Sequence, residues 1–109
     1  MTISELVNMV KTTGLIGFET QLGYVVFPNQ PINSEWLVNV VGDILVIRNV
    51  RYSKILNKIS YSTNYKVSID KVDPKEFELE LGELKRKWDR VNKLKYSKDL
   101  LNEIQEDFK

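Results

Sequence analysis

The tripeptide Glu83-Leu84-Lys85, with Asp70 or Asp73 upstream, is the one arrangement of side chains in this sequence that could perform catalysis. An acid followed by Glu-x-Lys is the spacing with which metal-dependent nucleases hold Mg²⁺ and orient a water. That chemistry needs the tripeptide on a strand, whereas the surrounding periodicity places it on a helix, and tripeptides of this kind recur by chance. The 109 residues include neither Cys nor His. Disulfides, thiolate nucleophiles, Cys-rich zinc sites and Ser–His–Asp or Cys–His catalysis are therefore excluded. The remaining carboxylates have no diagnostic spacing, and Gly14, Gly17 and Gly23 follow a helix instead of opening one, so they form no phosphate-binding loop. The expectation is a non-enzymatic protein with no cofactor and no metal.

Two stretches could recognise a partner. Charge is blocked along the C-terminal third: residues 73–82 are acidic, and 83–98 are basic through Lys85, Arg86, Lys87, Arg90, Lys93, Lys95 and Lys98. Asp99, Glu103, Glu106 and Asp107 then return the chain to acid. Such a helix could pair antiparallel with a second copy, its charge blocks setting the register. It could also lay its basic middle along a phosphate backbone, or be a solvated face with i,i+4 pairs such as Glu83–Lys87 and Asp89–Lys93. The second stretch, 51–71, carries Arg51, Lys54, Lys58, Lys66 and Lys71 among Tyr52, Tyr61 and Tyr65. Cations interleaved with aromatic rings suit single-stranded nucleic acid, because bases stack on rings while ammonium groups meet phosphates. The net charge of +1 requires any such footprint to be local.

These residues need elements to position them. Thr2 to Glu5 reads as a capping box, and Ile3, Leu6, Val7 and Val10 give a helix over residues 2–13 one apolar stripe, ended at Gly14. Strands are expected over Leu15–Leu22 and Tyr24–Phe27, after which Pro28-Asn29-Gln30-Pro31 interrupts pairing. Glu35–Val41 and Ile44–Val50 flank Gly42-Asp43, a two-residue hairpin turn. Trp36, Val38 and Val40 are expected on one face of this hairpin, with Ile44, Val46 and Val50 lining one face of its second strand. Residues 52–62 favour a short helix or turn, although Ile59, Tyr61, Thr63 and Tyr65 also alternate; a strand through Tyr65, Val67 and Ile69 follows. Asp73-Pro74 opens a C-terminal helix, in competition with a strand over Glu76–Leu81, and the helix is either continuous or jointed near Tyr96-Ser97.

The fold class is thus α+β, a small antiparallel sheet with an N-terminal helix and an amphipathic charged C-terminal helix or helix pair. One domain is expected over 1–109, comprising helix plus sheet at 1–72 and a helical segment at 73–109. In that segment Phe77, Leu81, Leu84, Trp88 and Val91 recur at spacings of four and three, a rhythm that resumes through Leu101, Ile104 and Phe108. This stripe is the expected interface of a homodimer, although Trp36 and Trp88 also suit core anchors. The alternative partner is nucleic acid, held by Arg51, Lys54, Lys58, Lys66, Lys85, Arg86, Lys87, Arg90 and Lys93. A missing secretory signal, and no apolar run long enough to span a bilayer, make the cytoplasm the expected location and a membrane partner unexpected. The absence of Ala beside plentiful Ile, Asn, Lys and Tyr suits an AT-rich coding sequence from a virus, plasmid or low-GC genome. A partner protein of the host is then conceivable.

Overall fold

A computed structural model describes the backbone of residues 1–29 and 35–107 and the side chains of the same residues up to Ser97. Its elements run α1 (Ile3–Thr13), β1 (Ile16–Glu19), β2 (Gly23–Phe27), β3 (Val38–Val41), β4 (Ile44–Ser53), β5 (Lys58–Ser68), a 3₁₀ turn at Ile69–Lys71 and α2 (Pro74–Asp107). The protein is α+β. Its five strands form an antiparallel meander in the order β1-β2-β3-β4-β5, and both helices cover one face of it.

Both ends of α1 behave as the sequence requires. The Thr2 hydroxyl accepts from Glu5 N while the Glu5 carboxylate accepts from Thr2 N, and Gly14 ends the helix at φ 78°. α2 begins where Asp73 Oδ1 accepts from Lys75 N, so Glu76–Leu81 is helix. It runs without a joint through Tyr96-Ser97. Its expected continuation of the apolar rhythm at Leu101, Ile104 and Phe108 lies outside the described side chains, as does Lys98. The break expected at Gln30-Pro31 also falls outside the described residues.

The sheet corrects four expectations. Leu15–Leu22 is strand only over Ile16–Glu19, because Thr20 turns the chain: its carbonyl and hydroxyl both accept from Gly23 N. Glu35–Val41 is strand only from Val38. Residues 52–62 contain no helix; β4 and β5 form one long hairpin closed at residues 54–57, where Asn57 takes φ 48°. Tyr52 OH bonds Asn57 Oδ1 at 2.7 Å and ties the strand to this tip. A two-residue turn at Gly42-Asp43 pairs Val40 with Leu45 and Val38 with Ile47, so the inward row of β4 is Leu45 and Ile47 and not Ile44 and Val46. The register then slips beside Ile47/Arg48, where Ile47 faces Tyr65 but Arg48 faces Thr63. That bulge lets Val50 rejoin the inward row three positions on.

The core gathers Leu6, Met9 and Val10 of α1, Tyr24, Val26, Val38, Val40, Leu45, Ile47 and Val50 of the sheet, and Phe77, Leu81, Leu84, Trp88 and Val91 of α2. Gly17 lies on the inward face so that the Tyr24 ring can cross it; a Cβ there would stand within 2.4 Å of Tyr24 Cζ. Among the described side chains none beyond Val91 belongs to the core, and those from Asn92 to Ser97 are exposed except the half-buried Lys95. The remaining 16 residues of α2 measure about 24 Å at 1.5 Å per residue. The radius of gyration is accordingly 16.0 Å, where a compact chain of this length gives about 13 Å.

Candidate interaction surfaces

The five residues expected to form an interface are occupied by the chain's own core. Phe77 and Leu81 have 1% and 0% of their surface exposed, and Leu84, Trp88 and Val91 are buried beside them. Their four-and-three spacing records which face of α2 meets the sheet. Trp88 is additionally fixed by its indole N–H, which donates to Tyr61 OH at 3.2 Å. Trp88 is thus a core anchor, as its alternative reading held, whereas Trp36 is only half-buried at the surface.

The metal site suggested by Glu83-x-Lys85 is not assembled. Asp73 precedes the first turn of α2 and Glu83 lies ten residues on, about 15 Å away along the helix axis. Lys85 Nζ instead pairs with Asp89 at 2.7 Å. Among the described residues no three carboxylates gather where a metal ion could sit.

The basic residues disperse. Lys85 serves Asp89, and Lys87 reaches across to Asn49 Oδ1 at 2.6 Å. Arg86, Arg90 and Lys93 lie on the solvent side of α2 interleaved with Glu83 and Asp89. Lys66 stands on the outer face of the sheet opposite Val46, Arg51 is exposed on β4, and Lys54 sits in the hairpin tip. Of the nine cations expected to hold nucleic acid, Arg86, Lys87, Arg90 and Lys93 line a shallow hollow along α2 with Glu83 and Asp89, and Lys58 enters a second concavity formed by several elements. It lies in a groove between the β4–β5 hairpin, α2 and Asn29 and Glu35, with Arg48, Tyr61, Trp88 and Lys95. Arg48 was not legible as a site residue, although a lone arginine inside the apolar run Ile44–Val50 is a signal that something polar must receive it.

The unexpected surface is the side of the sheet turned away from the helices. An antiparallel sheet with one wet face ordinarily alternates apolar-in with polar-out. Here the outward row on β1, β2, β3 and β4 joins Phe18 to Val25, Val25 to Asn39 and Asn39 to Val46, and the next row joins Val41 to Ile44. Phe18, Val41 and Ile44 are 44%, 45% and 42% exposed, and Leu22 in the β1–β2 turn is 69% exposed. Phe27 closes one end of the patch, edge-on to Phe18 at 6.1 Å between ring centroids. The sequence signal was present: Val38–Val41 and Ile44–Ile47 run apolar on both parities instead of alternating.

Comparison with known families, with curated proteins and with solved structures finds no match.

The surfaces themselves then carry the reading. Among the described residues no helix is long and apolar enough to cross a membrane. The tyrosines behave as parts of the core and its rim. Burial raises the pKa of Tyr24, helped by the charge of Glu19, and burial raises that of Tyr61 against the opposing bond from Trp88. Tyr65 is raised furthest, by burial and by donating to Glu80 Oε2 at 2.6 Å. A tyrosine whose folded pKa exceeds its unfolded value stabilises the fold fully below about pH 10, and that contribution disappears as pH climbs through the folded pKa. Stability is therefore expected to fall above pH 10, with three of the five tyrosines ionising late in a 295 nm titration. Tyr65→Phe should flatten the alkaline fall; an unchanged slope would show that Tyr65 ionises as freely folded as unfolded.

Proposed function

We propose that this chain is a non-catalytic interaction module that works as a homodimer, joined through the outer face of its sheet. The observation that carries the reading is the apolar outer face formed by Phe18, Val25, Val41, Ile44 and Val46, on the side of the sheet opposite the helices. Its exposed side chains amount to a few hundred Å², the scale of the largest apolar patch on a typical monomer, about 300–600 Å² and often functional.

A second copy suits this face better than a charged partner. The paired positions of this face carry no acid, and their cations, Lys66 and Arg51, lie on the β4–β5 hairpin at the margin. A two-fold axis parallel to the strands and midway between the two sheets lays one apolar face on its equivalent, about 10 Å away as in a β-sandwich, and keeps the two Lys66 side chains at opposite rims.

Light scattering after size exclusion tests the proposal. The wild type is expected at twice the 12.7 kDa chain mass, and still so at high salt, since apolar contact is not screened. Ile44→Lys should run as a monomer with unchanged far-UV circular dichroism. A wild-type monomer at micromolar concentration would sink the homodimer and leave a host or other protein as the occupant of the face.

A further inference from the structure

From the groove beside Tyr61 we infer a second activity: it binds single-stranded nucleic acid, holding phosphates on Lys58 and Lys95 and a base against the aromatic wall. Cations from three separate elements converge there, Arg48 of β4, Lys58 of β5 and Lys95 of α2, against one carboxylate among the described residues, Glu35. The cavity measures about 870 Å³ and opens to solvent, the size of a small-ligand cleft. A backbone carrying negative charge can enter it with a net gain of two positive partners.

The apolar lining selects the class of anion. Arg48 lies flat on Trp36, its Cζ 3.5 Å from the ring centroid, and Leu56, Ile59 and Tyr61 line the same space. A stacked guanidinium and aromatic rings receive unpaired bases, which offer a π-face regardless of sequence. An acidic peptide would use the cations and leave this wall uncovered. Tyr61 contributes a hydrogen bond as well, because its oxygen accepts from Trp88 and its own proton remains to be donated. A duplex, with its bases paired inward, cannot use the wall.

The groove lies apart from the outer sheet face, so the two readings fail separately. The test is fluorescence anisotropy of a labelled oligothymidylate titrated with the full chain across a range of salt. Saturable binding at low salt is expected, weakening linearly in log–log form as salt rises. Lys58→Glu and Lys95→Glu should each lower the salt slope by about 1, while Lys11→Glu on the far helix α1 leaves it unchanged. The monomeric Ile44→Lys variant should bind like the wild type. Absence of binding at low salt would overturn the inference, as would reversal variants indistinguishable from wild type. Equal binding of labelled poly-glutamate would overturn it in favour of an acidic peptide, and equal binding of duplex would remove the groove as the site.

Discussion

Trp88→Glu is expected to abolish the folded state, not to dissociate an intact protein. The indole is 7% exposed, contacts the sheet through Tyr61 and stands one step before the last residue of the α2 stripe, Val91. Truncating a buried tryptophan costs about 3–5 kcal/mol. Placing a carboxylate in the same volume adds the cost of burying a charge or of protonating it. Together these approach the whole stability of a domain this size, about 5–15 kcal/mol. Denaturant unfolding followed by circular dichroism should show no cooperative transition at 25 °C, or one beginning near zero denaturant. Ile44→Lys makes the contrast, since its site is 42% exposed on the opposite side of the sheet. A Trp88→Glu protein with wild-type midpoint would mean that α2 does not pack on the sheet through this face.

The second large effect is expected at Gly23. This glycine opens β2 opposite Val41, and a Cβ built on it would stand 2.0 Å from the Val40 carbonyl oxygen and 2.8 Å from the carbonyl carbon. Those atoms are backbone, held in the middle of the sheet by the pairing of β2 with β3 and β3 with β4. Gly23→Ala must therefore push the two strands apart, an overpacking cost of about 3 kcal/mol. Gly42 provides the comparison. It turns the β3–β4 hairpin at φ 63°, with nothing within 4 Å of an added Cβ. Gly42→Ala meets only the left-handed penalty, about 1 kcal/mol. Thermal unfolding should rank Gly23→Ala well below Gly42→Ala; the reverse order would show that β2 and β3 approach less closely than described.

Which parts of this protein could be read from the chain follows from the range of the forces involved. Local rules settled the ends of the elements. The capping box at Thr2–Glu5 satisfies backbone N–H groups three residues away, Gly14 and Gly42 supply positive φ within their own turns, and Asp73-Pro74 starts α2 with its own carboxylate. Each of these interactions is complete inside a few residues, so no distant partner can overrule it. The α+β class and the antiparallel hairpin at Gly42-Asp43 come from the same local signals.

Tertiary structure decided what the periodic patterns were for. A four-and-three apolar stripe says that one face of a helix will be buried, but not whether a sheet or a second chain buries it. Phe77 to Val91 meets the sheet because the meander offers an inward row of Tyr24, Val26, Val40, Leu45 and Ile47 that α2 can cover. Residues 52–62 satisfied helix and strand periods alike, and pairing with β4 selected the strand, because ten backbone partners along that hairpin outweigh a short helix with no face to cover. The bulge at Ile47/Arg48 then reassigned the face of every residue beyond it. Charges spread along the chain were gathered or scattered by the same pairing: Lys58 and Lys95 meet at one groove, while Arg51 and Lys66 are left on the outer face of the sheet and Arg86 on the solvent side of α2. The chain alone determined where elements begin and turn, since those interactions are local. Which of its apolar and basic residues remain available to a partner was decided by long-range packing, because availability is what remains after the core has taken its share.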